Sequence, residues 1–486
     1  MEQKSLKKNA FYSVLRVFLS LVFPLITFPY ASRILLPEGI GKVNFANTIT
    51  TYFVLIASLG IGSYATREAV KLRDNKQALT KFFKEIISIN IVCCFIAYIL
   101  FIVSLYFIPK FSDYRDLLLI CSIKIFFSVL GIEWLYNAFE EFKYLTVRSF
   151  LIQLFSLIYL FVFVHTKEDI IHYAIFGLFL AVGNNVLNFI YVGKYIDISY
   201  KTHLEIKKHF KSIIVFFGIT IVTSIYTLLD TTMLGFLSTD IEVGYYTAST
   251  KLGHMVLSML TAITAVLFPR LTDYAKNNEK EKFIELVKKC INILILLSIP
   301  NTSGIIILSK PIILLLSGEE YLPSILSMQI ISPIVIIISF GSLIGAQILP
   351  AIGKEKISFY SYIVGAITNI SLNVIFIPKL GASGAAIGTV FAEFAVTLIQ
   401  ILYVRDFFKY KEYLITLFES IISSFIMLII IYIIISLITN PLIQLLISFI
   451  AGILIYSICL ILLRNKYFLL YFNKLLNYIS NKLKRN

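Results

Sequence analysis

Residues 36–68 read LPEGIGKVNFANTITTYFVLIASLGIGSYATRE. A Pro-Glu-Gly turn opens the stretch, an uncharged run extends from Val43 to Tyr64, and Arg67 with Glu68 closes it. At 1.5 Å per residue such a run is long enough to cross the ~30 Å hydrocarbon layer of a bilayer as a helix. Its polar residues are grouped: Asn44, Asn47, Thr48, Thr51 and Ser58 share one side of a helix turning 100° per residue. One face is therefore suited to lipid and the other to something wetter.

Comparable runs fall near 10–31, 44–64, 86–108, 116–136, 145–164, 171–192, 212–236, 243–268, 286–308, 325–349, 357–377, 383–404, 418–438 and 442–463. Two of them carry an internal proline, Pro300 and Pro333. The whole chain of 486 residues is 58% hydrophobic and 15% charged, with a mean hydropathy of +0.87. Soluble domains keep about a quarter of their residues charged, so a soluble fold is excluded. Disorder is excluded too, because disordered chains are poor in the apolar residues abundant here. The expectation is an all-α membrane protein of about 14 transmembrane helices.

Charge placement fixes orientation. Of the 43 basic residues, 33 lie in connections on the side of the N-terminus, counting those at run ends, and 7 on the other side. The remaining three, Arg16, Lys124 and Lys251, sit inside runs. The positive-inside rule then predicts cytoplasmic termini for a multi-pass membrane protein. The net charge of +15 is read as topology and contact with anionic lipid, not as a nucleic-acid surface. The start, MEQKSLKKNA, is basic but leads into a long run without a cleavage site, which predicts a retained helix. The basic, amphipathic segment 464–486 is expected on the membrane surface. Cys93, Cys94, Cys121, Cys290 and Cys459 lie in apolar runs and are read as packing residues. No P-loop, metal-ligand spacing or nucleophile triad is present, so no cofactor, no metal and no enzymatic chemistry are expected.

The two halves echo each other. Gly41 and Arg67 recur as Gly244 and Arg270, both at an offset of 203. Ala174-Ile175-Phe176-Gly177 resembles Ala385-Ala386-Ile387-Gly388 at 211, the Gly318 connection supplying the extra residues. Such parallel repeats place a substrate between two lobes. The expected division is an N-terminal lobe, 1–200, a C-terminal lobe, 201–412, and an added helix pair with a basic tail, 413–486. Polar stripes recur on repeat-related runs. They comprise Ser13, Arg16, Ser20 and Thr27 on the first, Thr220, Thr223, Ser224, Thr227, Asp230 and Thr231 on the seventh, and Thr247, Lys251, His254, Ser258 and Thr261 on the eighth. Single Ser or Thr residues usually bond their own helix. Together the stripes predict a hydrated cleft formed mainly by runs 1, 2, 7 and 8.

A charge at mid-bilayer costs about 2.5–3.5 kcal/mol even on lenient scales, so each needs a partner, water or a task. Arg16 lies ~9 Å from the run's N-terminal end, within snorkelling reach, and Lys124 ~12 Å from the opposite face. Glu133, nine residues beyond Lys124, falls on the other side of that helix. Lys251 and His254 share a face, and Glu393 lies mid-run with Thr389 and Gln400 on its own face. Asp230, near a run end, is open to solvation. The cations suit a phosphate-bearing substrate, with Asn47 and Thr227 as polar contacts; Glu393, His254 and Asp230 are candidates for coupling to cations.

In these same residues the chain resembles the Wzx-type polysaccharide flippases of the MOP exporter superfamily, which also holds the MATE multidrug transporters. The likeness covers most of residues 1–410. It is carried by 36–68, EWLYNAFEEFKYLTVRS (133–149), DTTMLGFLSTDIEVGYYTASTK (230–251), GAQILPAIGKEK (345–356) and NISLNVIFIPKLGASGAAIGTVFAE (369–393). The resemblance implies two pseudo-equivalent six-helix, MATE-like lobes. It also implies export of undecaprenyl-pyrophosphate-linked oligosaccharide repeat units, for O-antigen, capsule or exopolysaccharide, from the inner to the outer leaflet by alternating access. Exchange with H⁺ or Na⁺, contact with membrane lipid, and work beside a polysaccharide polymerase and chain-length machinery are implied in the same way. The last two runs exceed the twelve of many relatives and could form a lipid-tail groove or brace the second lobe. A cation-coupled multidrug exporter is the alternative reading. A membrane glycan polymerase or ligase fits less well, because the outward connections are short and nearly free of histidine.

Overall fold

The structure, a computed structural model, describes residues 6–408 and 411–483; the side chains at 6, 7, 219, 222, 223, 225, 408, 475, 476 and 478–483 are outside the description. The opening MEQKS, the Thr223 side chain and the end of the basic tail therefore lie outside the described residues. The helices are α1 (Leu6–Ser58), α2 (Ile61–Leu72), α3 (Lys76–Phe107), α4 (Arg115–Phe127), α5 (Glu133–Ala138), α6 (Phe142–Phe163) and α7 (Ile170–Ile190). Next come α8 (Phe210–Leu237), α9 (Asp240–Ala265), α10 (Phe268–Lys276), α11 (Lys280–Ile307), α12 (Ser309–Leu316), α13 (Ser324–Ile331), α14 (Ile334–Ser342) and α15 (Leu349–Ala351). The chain ends with α16 (Glu355–Tyr403), α17 (Lys411–Leu437), α18 (Pro441–Leu462) and α19 (Lys466–Leu483). No strand occurs among the described residues.

Among the described residues, eleven helical stretches are long and apolar enough to cross a membrane. Two of them, Lys8–Leu72 and Glu355–Tyr403, each hold two of the fourteen expected runs, and α8 holds a further one. The chain is a multi-pass, all-α membrane protein. Where the sequence predicts a connection between the first two runs, the structure has a one-residue break inside α1, at Leu36 (φ 59°, ψ 175°). Pro37 disfavours a helical residue before it, and a leucine at this φ stores about 1–3 kcal/mol of strain. Gly381 (φ 52°, ψ −127°) breaks α16 in the same manner, there without a side chain to clash.

Two compact units result, Met1–Gly244 and Tyr245–Asn486. In the first, α8 packs on α1 and α2, so the division by packing falls later than the expected repeat boundary at 200/201, which rests on sequence equivalence. The first turn of α9 meets the elbow of α1 reciprocally. A Cβ on Gly41 would collide with the Asp240 carbonyl, and one on Gly244 with the Pro37 carbonyl. Pro37 and Asp240 are themselves 203 apart, so the contact has the symmetry of the repeat.

The segment leading to α8 is stitched onto α3. Thr80 Oγ1 accepts from the Asp197 amide (3.2 Å), and Lys84 Nζ donates to the carbonyls of Ile198 and Tyr200 (2.7 Å each). Glu85, 1% exposed, accepts from the Glu205 amide (2.8 Å), His209 Nε2 (2.8 Å) and Lys208 (3.1 Å), and His209 Nδ1 bonds the Tyr64 hydroxyl (2.6 Å). A carboxylate so deeply buried is tolerated because its oxygens are satisfied. Glu205, on the surface, is held below the usual carboxylate range by hydrogen bonds from Lys81 and Lys208.

In the second unit α11 runs unbroken through Pro300. Proline has no N–H to give the carbonyl four residues earlier, Leu296. Tyr456 of α18 donates to that carbonyl instead (2.8 Å) and also bonds Ser420 of α17 (2.7 Å). The added helix pair thus braces α11. Beyond it, α19 is anchored by Asn465 to Glu419 (2.5 Å) and Tyr467 to Glu412 (2.7 Å).

Gly41→Ala and Gly244→Ala should each lose about 1–3 kcal/mol through overpacking, whereas Gly62→Ala, with nothing within 4 Å, should not; thermal midpoints of the purified chain decide. Tyr456→Phe should cost about 1–3 kcal/mol by orphaning the Leu296 carbonyl. Pro300→Ala in that background, by restoring the helical N–H, should return most of the loss in a double-mutant comparison.

Candidate functional site

Three helices of the first unit converge on Glu133, the first residue of α5. Arg16 of α1 donates to Glu133 Oε1 (2.6 Å) and Arg148 of α6 to Oε2 (3.2 Å). Arg148 also donates to the side-chain oxygen of Asn188 on α7. The Arg148 side chain is 2% exposed, that of Arg16 33% and that of Glu133 36%. Charge counting by run ends places Arg148 in a connection; its true position is a turn and a half inside α6, buried. The cluster holds two guanidinium groups and one carboxylate, a surplus of one positive charge. Arg148 Nε and Asn188 Nδ2 are buried donors with no protein partner among the described residues.

Lys124 is elsewhere. Its ammonium donates to the Asn47 carbonyl (2.8 Å), Asn47 Oδ1 (3.2 Å) and Thr51 Oγ1 (3.1 Å), all on the polar face of α1. The structure therefore brings Lys124 to Asn47, as two of the expected site residues, and brings Arg16 to Glu133, but among the described residues gives Arg16 and Lys124 no common partner.

The remaining candidates occupy two settings. On α8, Thr227 is exposed and bonds its own helix at Ser224 (3.0 Å). Asp230 is 7% exposed, so its place near a run end does not give it the solvation expected there; its charge acts on Tyr52, which bonds Thr232 (3.0 Å). In the second unit Lys251 is half-buried and His254 exposed on α9, and Glu393 is half-buried on α16. Tyr246 links the two helices through Thr389 (3.1 Å), one turn from Glu393. Tyr362 bonds Gln400 and lies in electrostatic reach of Glu393, and Gln400 Nε2 donates to Ser361 (3.0 Å). The Gln400 side chain lies across Gly345, within a π-helical turn at Leu343–Ile348. Many stripe hydroxyls do bond their own helices, among them Ser20, Thr27, Thr220, Ser258 and Thr261. No cluster of potential metal ligands occurs among the described residues.

A family model described as "Polysaccharide biosynthesis protein" matches residues 6–275, which include the Glu133 cluster, the Lys124 site and the α1–α9 contact. The chain belongs to that family. The MatE model matches residues 215–375. A protein of Escherichia coli (strain K12) named as an O-antigen transporter is 28% identical over 410 residues, 83% of this chain and 97% of that one. Among solved structures, a lipid II flippase MurJ in an inward closed conformation has a TM-score of 0.74 at 21% identity, over 94% of this chain and 99% of that one. An inward-facing MATE-family multidrug transporter has a TM-score of 0.61 at 14% identity, over 81% and 97%. These likenesses give the fold, the two-lobe arrangement of the MOP superfamily. Within it, the Glu133 cluster combines a cationic surplus with a partly exposed guanidinium, Arg16, chemistry that suits an anion.

Glu133→Gln should leave Arg148 buried without a counter-charge and destabilise the chain toward the lower end of ~3–5 kcal/mol, Glu133 being partly solvated. Arg16→Ala, at a more exposed position, should be much milder. Thermal unfolding of the two purified variants beside wild type gives the ranking.

Proposed function

We propose that this chain is a flippase rather than an enzyme, moving undecaprenyl-pyrophosphate-linked oligosaccharide repeat units from the cytoplasmic to the outer leaflet of a bacterial inner membrane. Membership of the polysaccharide biosynthesis family and the named role of the E. coli relative support the cargo class. The charge bias of the connections supports cytoplasmic termini. The observation that carries the reading is the unequal charge at Glu133, where two arginines share one carboxylate and one of them, Arg16, is a third exposed. A pyrophosphate offers pairs of acceptor oxygens on tetrahedral phosphorus, at a spacing that the two-pronged planar guanidinium matches.

In this reading Arg16 and Lys251 meet the anionic head group, Lys124 adds positive potential, and Asn47 and Thr227 serve glycan hydroxyls. Glu393, His254 and Asp230 exchange H⁺ or Na⁺ as the chain alternates between states. The lobes 1–200 and 201–412 move as the repeat units, with 413–486 as a brace, and the product passes to a polysaccharide polymerase and chain-length machinery. The multidrug-exporter alternative rests on the MatE match over residues 215–375 and on likeness of fold.

The test is reconstitution of the full chain in vesicles with a fluorescent undecaprenyl-pyrophosphate oligosaccharide, read by accessibility of the label to an external quencher. Wild type should equilibrate the leaflets. Arg16→Ala, losing a charge-assisted hydrogen bond of about 1.5–3 kcal/mol, should slow this about tenfold or more. Equal rates in wild-type and protein-free vesicles would overturn the assignment.

A further inference from the structure

Lys124 stands inside an apolar run, where its charge must be met by the protein. Among the described residues it makes no ion pair. Each of its three partners is a neutral oxygen: a main-chain carbonyl, a side-chain amide oxygen and a hydroxyl. An ammonium group has three donors and no acceptor, so three such contacts use all it has. The Thr51 hydroxyl is set up as an acceptor, because its own hydrogen is given to the Asn47 carbonyl (2.6 Å).

Neutral carbonyl, amide and hydroxyl oxygens are also what replaces the water around an alkali cation in a membrane protein. A positive charge within a spanning helix is costly, so an oxygen set able to hold one there is already arranged to solvate a unit cation. We propose that the Lys124 ammonium is a tethered occupant of a monovalent-cation site built by Asn47 and Thr51, and that the chain without this lysine binds a dissolved alkali cation in its place. The first unit then carries its cation covalently and has none to exchange at this position. Lys124 acts as a positioning residue, holding α1 beyond its elbow against α4, and its donors are not free to bond a phosphate. The inference rests on this geometry and not on the proposed cargo.

The test is the thermal midpoint of the purified full chain in sodium, potassium or choline chloride at constant ionic strength. Lys124→Ala should be stabilised by one alkali salt over choline, saturably. At tenfold excess over its Kd the cation raises the folded-to-unfolded ratio about elevenfold, beyond any shift in wild type. Adding Thr51→Val should remove this gain. Lys124→Ser, which leaves a polar floor for a hydrated ion, is read in the same salts in case the alanine variant does not fold. The inference is overturned if neither variant gains more from an alkali salt than wild type, or if neither folds in any of the salts. Because the readout is stability, failure here leaves the flippase assignment untouched, and failure of the flipping assay leaves this one standing.

Discussion

The Glu133 carboxylate, shared by Arg16 and Arg148, holds the first unit's helices in register. An arginine inside an apolar helix is costly unless answered, and a single carboxylate with two oxygens can answer two. Because the three charges come from α1, α5 and α6, and Arg148 passes on to Asn188 of α7, neutralising the charge also decides which helices are neighbours. A second carboxylate would complete the pairing and leave an inert strut. One carboxylate leaves the helices joined and the place cationic.

Backbone chemistry imposes the second constraint. In lipid every carbonyl needs a donor from the protein, so each proline inside a helix creates a debt that a neighbour must settle. Tyr456 does so for Leu296, where Pro300 supplies no N–H, and the donor comes from the added C-terminal pair. The pair is therefore tied to α11 by a backbone need, which ordinary apolar packing would not specify so tightly. Nothing in this contact calls for a lipid tail.

Much of this was legible in the chain itself. Apolar runs of fixed length give the helices, since the bilayer sets their extent, whereas the reciprocal contact at Gly41 and Gly244 becomes visible only in the fold. The elbows were less legible: Leu36-Pro37 reads as a connection, and only the fold makes it a single strained residue inside a continuous helical path. Arg148 lies near a run end, where basic residues are usually solvated, and nothing in the sequence marks it as buried. Asp230, also near a run end, is buried with as little local signal. The Glu85–His209–Tyr64 chain was invisible, for its members are 21 to 145 residues apart and carry no local pattern.

The repeat also shows where the halves part company. At an offset of 203, Asn47 corresponds to Thr250, Thr48 to Lys251 and Thr51 to His254. In the first half the polar face of the helix is uncharged and a lysine reaches it from α4. In the second the lysine stands on the face itself, one turn from a histidine, and a carboxylate, Glu393, lies on a helix linked to it by Tyr246 and Thr389. The first face thus meets one tethered ammonium with neutral oxygens, whereas the second sets a lysine, a histidine and a carboxylate on two helices joined by a hydrogen bond.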